Sequence, residues 1–163
     1  IQTVGHAWLQ TKLPMFGDFV AKRNFTQLNL VWSKYARLSV GVVAFLGACL
    51  IFAVYFASKM EWALMDRVMQ VEYFIILVLA QILAQVIQCQ ASYIRAFKKE
   101  YFVLPGFIGG LLAGIFIWFG VSFFGIRGGI YGYACAIGIM MLWTTLIFTS
   151  NRHAIYKSVS VAE

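Results

Sequence analysis

Four long apolar segments separated by short polar ones dominate the chain from residue 35 onward. They cover residues 35–58, 71–94, 102–124 and 128–150. Each is long enough to cross a hydrocarbon layer of about 30 Å at a rise of about 1.5 Å per residue. A segment inside lipid must satisfy its own backbone hydrogen bonds, so each is predicted to be an α-helix. We therefore predict an all-α integral membrane protein with four transmembrane helices, in which the short connections make consecutive helices antiparallel neighbours.

The first 34 residues have a different pattern. Residues 1–15 look like the end of a membrane helix that runs into Pro14, and the chain begins with Ile1 rather than Met. We therefore expect the four helices to belong to a larger helical bundle. Residues 17–34 mix apolar with polar and basic side chains, which suits either an amphipathic helix at the membrane interface or a loop followed by the first turns of the next span. The predicted organisation has three parts. Residues 1–34 are the end of a membrane helix and a cytoplasmic interfacial segment, residues 35–150 are the transmembrane region, and residues 151–163 are a cytoplasmic tail.

Basic residues are distributed asymmetrically between the loops. Of the 13 Lys and Arg, nine lie in residues 16–37, in the loop 95–101 or in the tail, three lie in the two alternate loops, and Lys12 is not assigned to either side. By the positive-inside rule, the segments with nine basic residues and the C-terminus are cytoplasmic, in a multi-pass protein of the cytoplasmic (inner) membrane. Topology also explains the net charge of +7 without a nucleic-acid partner. The nine are Lys22, Arg23, Lys34, Arg37, Arg95, Lys98, Lys99, Arg152 and Lys157; the three are Lys59, Arg67 and Arg127.

The second span carries a row of amide side chains. Gln81, Gln85 and Gln88 recur at i, i+4 and i+7 and so share one helical face, which Ser92 and Arg95 continue toward the cytoplasmic end. Amides do not favour contact with lipid, so this face is predicted to point into a bundle or a hydrated cavity. Two interpretations are open: the amides tie helices together, or they line a path for a polar substrate.

Glycines recur in the last two spans at four-residue steps. They are Gly106, Gly110 and Gly114 in the third span, and Gly128 and Gly132 in the fourth. Small residues at this spacing let helix backbones approach closely in lipid. Helix packing is the predicted role, and a hinge for alternating access is the alternative.

The chain has few residues suited to catalysis or metal binding. His6 and His153 are expected to be solvated residues at or outside the membrane boundary, and Cys49, Cys89 and Cys135 to be buried structural thiols without disulfide or metal spacing. We find no nucleophile elbow, phosphate loop or metal-binding helix motif. The sequence therefore predicts a protein that is not an enzyme and needs no cofactor or metal.

Three stretches resemble a known family. They are residues 8–18, with Leu13-Pro14 and Gly17-Asp18, followed by the basic-aromatic run 34–37; residues 92–100 before a span led by a proline; and residues 125–133 at the start of the last span. Together they resemble the C-terminal part of the polysaccharide and O-antigen lipid-linked oligosaccharide flippases. That family belongs to the superfamily of the multidrug and toxin extruders.

The resemblance implies a fragment of a helical transporter that works by alternating access. Such proteins move undecaprenyl-linked oligosaccharide from the cytoplasmic to the periplasmic leaflet during polysaccharide or lipopolysaccharide biosynthesis. Implied partners are membrane lipid, the lipid-linked substrate and the preceding helices of the same transporter. The row of Gln81, Gln85 and Gln88 would line the central cavity. Arg95, with Lys22 and Arg23, would attract the pyrophosphate of the substrate. The alternative is that these three cations only set the orientation of the chain in the membrane.

Three other functions remain open at the level of sequence. A drug or small-molecule extruder of the same superfamily would share these features. A non-transporting tetraspan scaffold subunit would share the four spans, although the cut-off helix over residues 1–15 argues against it. A membrane-embedded transferase would need a usable pair of acids or histidines, which Asp18, Glu61, Asp66 and Glu72 do not form at any obvious spacing.

Overall fold

The computed structural model describes residues 2–60, 70–98 and 100–160, and side chains as far as residue 152. Within these ranges the regular structure is entirely α-helical. The helices are α1 (Gln2–Gln10), α2 (Leu13–Ala21), α3 (Phe25–Lys59), α4 (Val71–Ala96) and α5 (Val103–Ser160). Helices α3 and α4 and residues 103–152 of α5 are long and apolar enough to cross a membrane. The predicted helical fold, with several helices that could span a membrane, is thereby confirmed for the described residues. Arg67, Lys99 and the side chains of His153 and Lys157 lie outside the described residues.

Helix α5 is interrupted at Gly125, within the predicted third connection. Gly125 has φ 64° and ψ −154°, a conformation that only glycine adopts readily. Residues on the two sides then face each other: Gly120 meets the backbone of Gly128, and Gly132 meets the backbone of Phe116. The segments 103–124 and 126–160 therefore run antiparallel, as a helical hairpin with its turn at Gly125.

The N-terminal region forms two short helices before α3. A turn at Thr11 and Lys12 separates α1 from α2, and Pro14 lies in the first turn of α2, where a proline's lack of an N–H is tolerated. The Asn24 side chain then caps α3 by accepting a hydrogen bond from the backbone N–H of Gln27 at 3.2 Å. Because of this cap α3 begins at Phe25, ten residues before the predicted start of the first span. The amphipathic segment is thus shared between α2 and an unbroken α3.

Helix α4 is the centre of the packing. It contacts α1, α2, α3 and α5. In its most apolar stretch of 18 residues, 39% of the residues are buried, against 17% in the corresponding stretch of α3 and 6% in that of α5. A buried hydrophobic cluster lies toward the C-terminal end of α4 and includes Leu9, Phe16, Leu28, Tyr93, Ile94 and Phe148. Near the other end, Gly47 of α3 lets that helix close onto Val78 of α4. The polar side chains of α4 are consequently held against neighbouring helices.

Cysteine burial differs from the expectation. Cys89 is buried in α4, whereas Cys49 and Cys135 are exposed. An apolar run in a membrane helix has faces toward lipid as well as toward protein, so membership of the run does not decide whether a thiol is packed inside the bundle.

Candidate functional site

Gln85 is the most deeply placed amide of α4. Its side chain is 0% exposed, and its Nε2 donates to Ser39 Oγ of α3 at 2.7 Å. Ser39 Oγ in turn donates to the carbonyl oxygen of Gly5 in α1 at 2.5 Å. This chain of hydrogen bonds joins three helices. Among the described residues, Gln85 Oε1 has no hydrogen-bond partner, so one strong acceptor remains unsatisfied in the interior.

The close approach of α1 depends on Gly5. A Cβ at this position would lie 2.6 Å from Val43 Cγ2, 3.2 Å from the Ser39 carbonyl oxygen and 3.4 Å from Gln85 Cδ. Only a residue without a side chain fits there, because the Val43 and Ser39 atoms belong to a packed helix face. Gly5 therefore lets α1 sit directly on the polar part of α3 and α4.

A polar groove opens beside this network, between α1 and α4. Its volume is about 300 Å³, and it is lined by Gln2, Thr3 and His6 of α1 and Gln88 of α4. Gln88 is one turn beyond Gln85 on α4, so the groove continues the polar face of that helix. Arg95 lies seven residues beyond Gln88 on α4, about two turns along the same face of that helix. We define these four lining residues as the polar groove.

His6 differs from the expected solvated position. It is partly buried, and its Nδ1 is buried with no hydrogen-bond partner among the described residues. A lone histidine near a helix end has no neighbouring sequence motif that would indicate a function. Only the packing of α1 on α4 brings it to Gln88.

The other amides of α4 bond to the hairpin of α5. Gln81 Nε2 donates to Tyr133 Oη at 3.1 Å, and Gln90 Nε2 donates to Thr145 Oγ1 at 3.1 Å. Gln90 lies outside the i, i+4, i+7 row, so helical periodicity does not single it out. Ser92 is buried and donates to the Gln88 carbonyl oxygen at 2.8 Å, so its hydroxyl is occupied within its own helix.

An aromatic cluster braces the end of α4 that carries Arg95. The Trp32 ring lies 5.1 Å from that of Tyr93 and 5.6 Å from that of Phe148, between centroids. Its Nε1 donates to the Cys89 carbonyl oxygen at 3.0 Å, and Tyr93 Oη donates to Asn29 Oδ1 at 2.8 Å. Buried Trp and Tyr are stable when their polar atoms find such partners. The cluster fixes α3 and α5 around α4.

The three candidate anion-attracting residues lie at the same end of the bundle. Lys22, Arg23 and Arg95 are exposed. Phe25 stacks on Phe97 with 6.0 Å between centroids, which brings the turn between α2 and α3 to the end of α4. Arg23 itself has φ 52°. The exposed position leaves all three charges accessible to a solvated anion.

The glycines of the third predicted span are arranged differently from those of the fourth. Gly128 and Gly132 contact the opposite arm of the hairpin, together with Gly120, and Gly109 packs against Met140. A Cβ at Gly106, Gly110 or Gly114 would meet nothing within 4 Å. The latter row therefore packs against no described part of this chain.

Comparisons with known proteins add no relative. A scan against protein-family models, a search of curated proteins and a search of solved structures each found no match to this chain. Within the described residues there is also no group of three or more His, Cys, Asp or Glu placed to hold a metal ion.

Proposed function

We propose that this chain crosses the cytoplasmic membrane four times and forms part of a transporter that flips lipid-linked oligosaccharide. The observation that carries the proposal is the polar groove beside the buried amide of Gln85, which lies in a largely apolar bundle and is lined by polar side chains that make no hydrogen bond to another helix within the described residues. Polar side chains are costly at membrane depth and are typical of substrate paths. The resemblance to the oligosaccharide flippases supplies the substrate class.

The groove offers hydrogen-bonding groups that match sugar hydroxyls. Amides and hydroxyls both donate and accept, so Gln2, Thr3 and Gln88 can exchange hydrogen bonds with a moving glycan. In this proposal Gln85 has a supporting role, because its Nε2 is already engaged by Ser39.

The exposed cations suit the charged part of such a substrate. Arg95, Lys22 and Arg23 lie at one end of the bundle, where the positive-inside rule predicts the cytoplasm. A pyrophosphate at this mouth would gain from guanidinium hydrogen bonds and from local positive charge. The glycan would then enter the polar groove while its lipid stays in the membrane.

Replacement of Gln88 with leucine in the intact transporter tests this role. Leucine has a similar size but cannot bond a hydroxyl, so we expect glycan export to fall about tenfold, as for the loss of about 1.4 kcal/mol of hydrogen bonding. The matched control is Gln90→Leu, which changes an amide of the same helix that bonds to Thr145 and does not line the groove. The control is expected to retain export at normal protein levels.

Other outcomes separate the alternative functions. Unchanged export by Gln88→Leu, with normal protein levels, would contradict the proposed path. A change in cellular accumulation of small amphipathic compounds, without a change in glycan export, would instead favour an extruder of the same superfamily. If neither transport assay responds to the groove, a scaffold subunit becomes the better account.

A further inference from the structure

A second groove, separate from the polar one, runs along the α5 hairpin. Its volume is about 690 Å³, within the range of roughly 300–1,000 Å³ that is usual for small-molecule sites. Its floor is glycine, where the two arms touch. Its walls are mainly aromatic. The lining residues are Phe116, Phe119, Gly120, Phe123, Phe124, Arg127, Gly128, Tyr131, Gly132 and Cys135. We call it the hairpin groove.

The glycines explain why a groove exists at this place. Gly120 and Gly128 bring the backbones of the two arms into contact, and no side chains fill the crease between them. Phe119 and Phe123, stacked at 6.4 Å between centroids, stand on one arm, and Tyr131 stands on the other. The result is an apolar channel open to the surroundings of the bundle.

Arg127 is the charged residue among those that line the groove. It follows the turn at Gly125 by two residues, and its guanidinium carbon lies 5.8 Å from the centroid of the Tyr73 ring. Arg127 and its neighbour Tyr131 are both exposed. Arginine and tyrosine at the end of a membrane helix are typical of headgroup level. The groove thus joins an apolar channel to one positive charge at the height of lipid phosphates.

We propose that the hairpin groove binds a glycerophospholipid of the leaflet that contains the turn, with an acyl chain along the aromatic walls and the phosphate on Arg127. Charge complementarity identifies this occupant. A guanidinium forms strong, directional hydrogen bonds with phosphate, and hydrocarbon is the complement of an uncharged aromatic channel. The site is independent of the transported substrate, because it lies on α5 and shares no lining residue with the polar groove.

Photo-crosslinking of the purified intact protein in lipid nanodiscs tests the site. The probe is phosphatidylglycerol with a diazirine on one acyl chain, and labelled peptides are identified by mass spectrometry. We expect labelling to concentrate in residues 116–135. A diacylglycerol probe with the same diazirine, which lacks the phosphate, is expected to label this region about fivefold less, as for the loss of about 1 kcal/mol per basic residue at a membrane surface.

The structure offers a matched pair of variants for the phosphate contact. Arg127→Gln removes the proposed phosphate ligand. Lys59→Gln removes another exposed cation that lies over a tyrosine, 5.5 Å from the centroid of the Tyr55 ring, outside the hairpin groove. We expect Arg127→Gln to lower groove labelling about fivefold and Lys59→Gln to leave it unchanged.

A third variant tests the apolar channel itself. Cys135 is exposed and lines the groove, so Cys135→Trp should fill it and reduce labelling while Arg127 remains. Equal labelling by both probes, or by wild type and Arg127→Gln, would overturn the phosphate contact. Labelling spread evenly over α3 and α5 in the wild type would overturn the site as a whole.

Discussion

Replacement of Ser39 with alanine removes the hydroxyl that connects α1, α3 and α4. Ser39 is 0% exposed and makes two hydrogen bonds, as acceptor from Gln85 Nε2 at 2.7 Å and as donor to the Gly5 carbonyl oxygen at 2.5 Å. A hydrogen bond between membrane helices contributes about 0.6 kcal/mol on average and up to about 1.7. The two together account for about 1–3 kcal/mol, and the Gln85 amide is left buried without its partner.

The expected order of the variants follows from which groups remain unpaired. Gln85→Leu should cost less than Ser39→Ala, because Ser39 can still donate to Gly5 and leucine leaves no orphan amide. The double variant should be no less stable than Ser39→Ala alone, since removal of both partners avoids the unsatisfied group. This is a double-mutant cycle with a non-additive result.

The free energy of unfolding of the intact protein in bicelles, measured by denaturant titration, checks this order. Ser58→Ala serves as control because Ser58 is on the same helix and exposed; it should leave stability unchanged. If Ser39→Ala unfolds at the wild-type midpoint, or if the two single changes add fully in the double variant, Ser39 and Gln85 do not form a stabilising buried network.

Two further predictions concern the packing of α5 and α3. Gly120→Leu should destabilise the protein by several kcal/mol, because its side chain would collide with the Gly128 backbone. Gly110→Leu should leave stability unchanged, because a Cβ at that position meets nothing within 4 Å. Equal unfolding midpoints for the two variants would refute the hairpin contact. Trp32→Phe keeps the ring but loses the hydrogen bond from Nε1 to a carbonyl oxygen of α4, so a loss of about 1 kcal/mol is expected in the same titration; a loss in Trp32→Phe as large as in Trp32→Ala would show that ring packing was misjudged.

Several features of the candidate site could be predicted from the chain. Helical periodicity predicts that Gln81, Gln85 and Gln88 share one face of the helix. That face is predicted to point away from lipid, since amides in an apolar helix must find hydrogen-bond partners. The turn at Gly125 is predicted by the short break between the apolar runs 102–124 and 128–150. These are local properties, encoded within one helix or one turn. The partners of the amides are not local: Ser39 is 46 residues from Gln85, and Tyr133 is 52 residues from Gln81.

The helical fold and the apolar helices long enough to span a membrane follow from the sequence, because a long apolar segment in lipid has to satisfy its own backbone hydrogen bonds. Tertiary structure decided which polar groups meet. It placed His6 and Gln88 along one groove, joined Gln90 to Thr145 and left the row of Gly106, Gly110 and Gly114 open while Gly120 and Gly128 closed the hairpin. The physical reason is that small and polar residues look alike along a membrane helix, and only the rotation of each helix about its axis selects their neighbours.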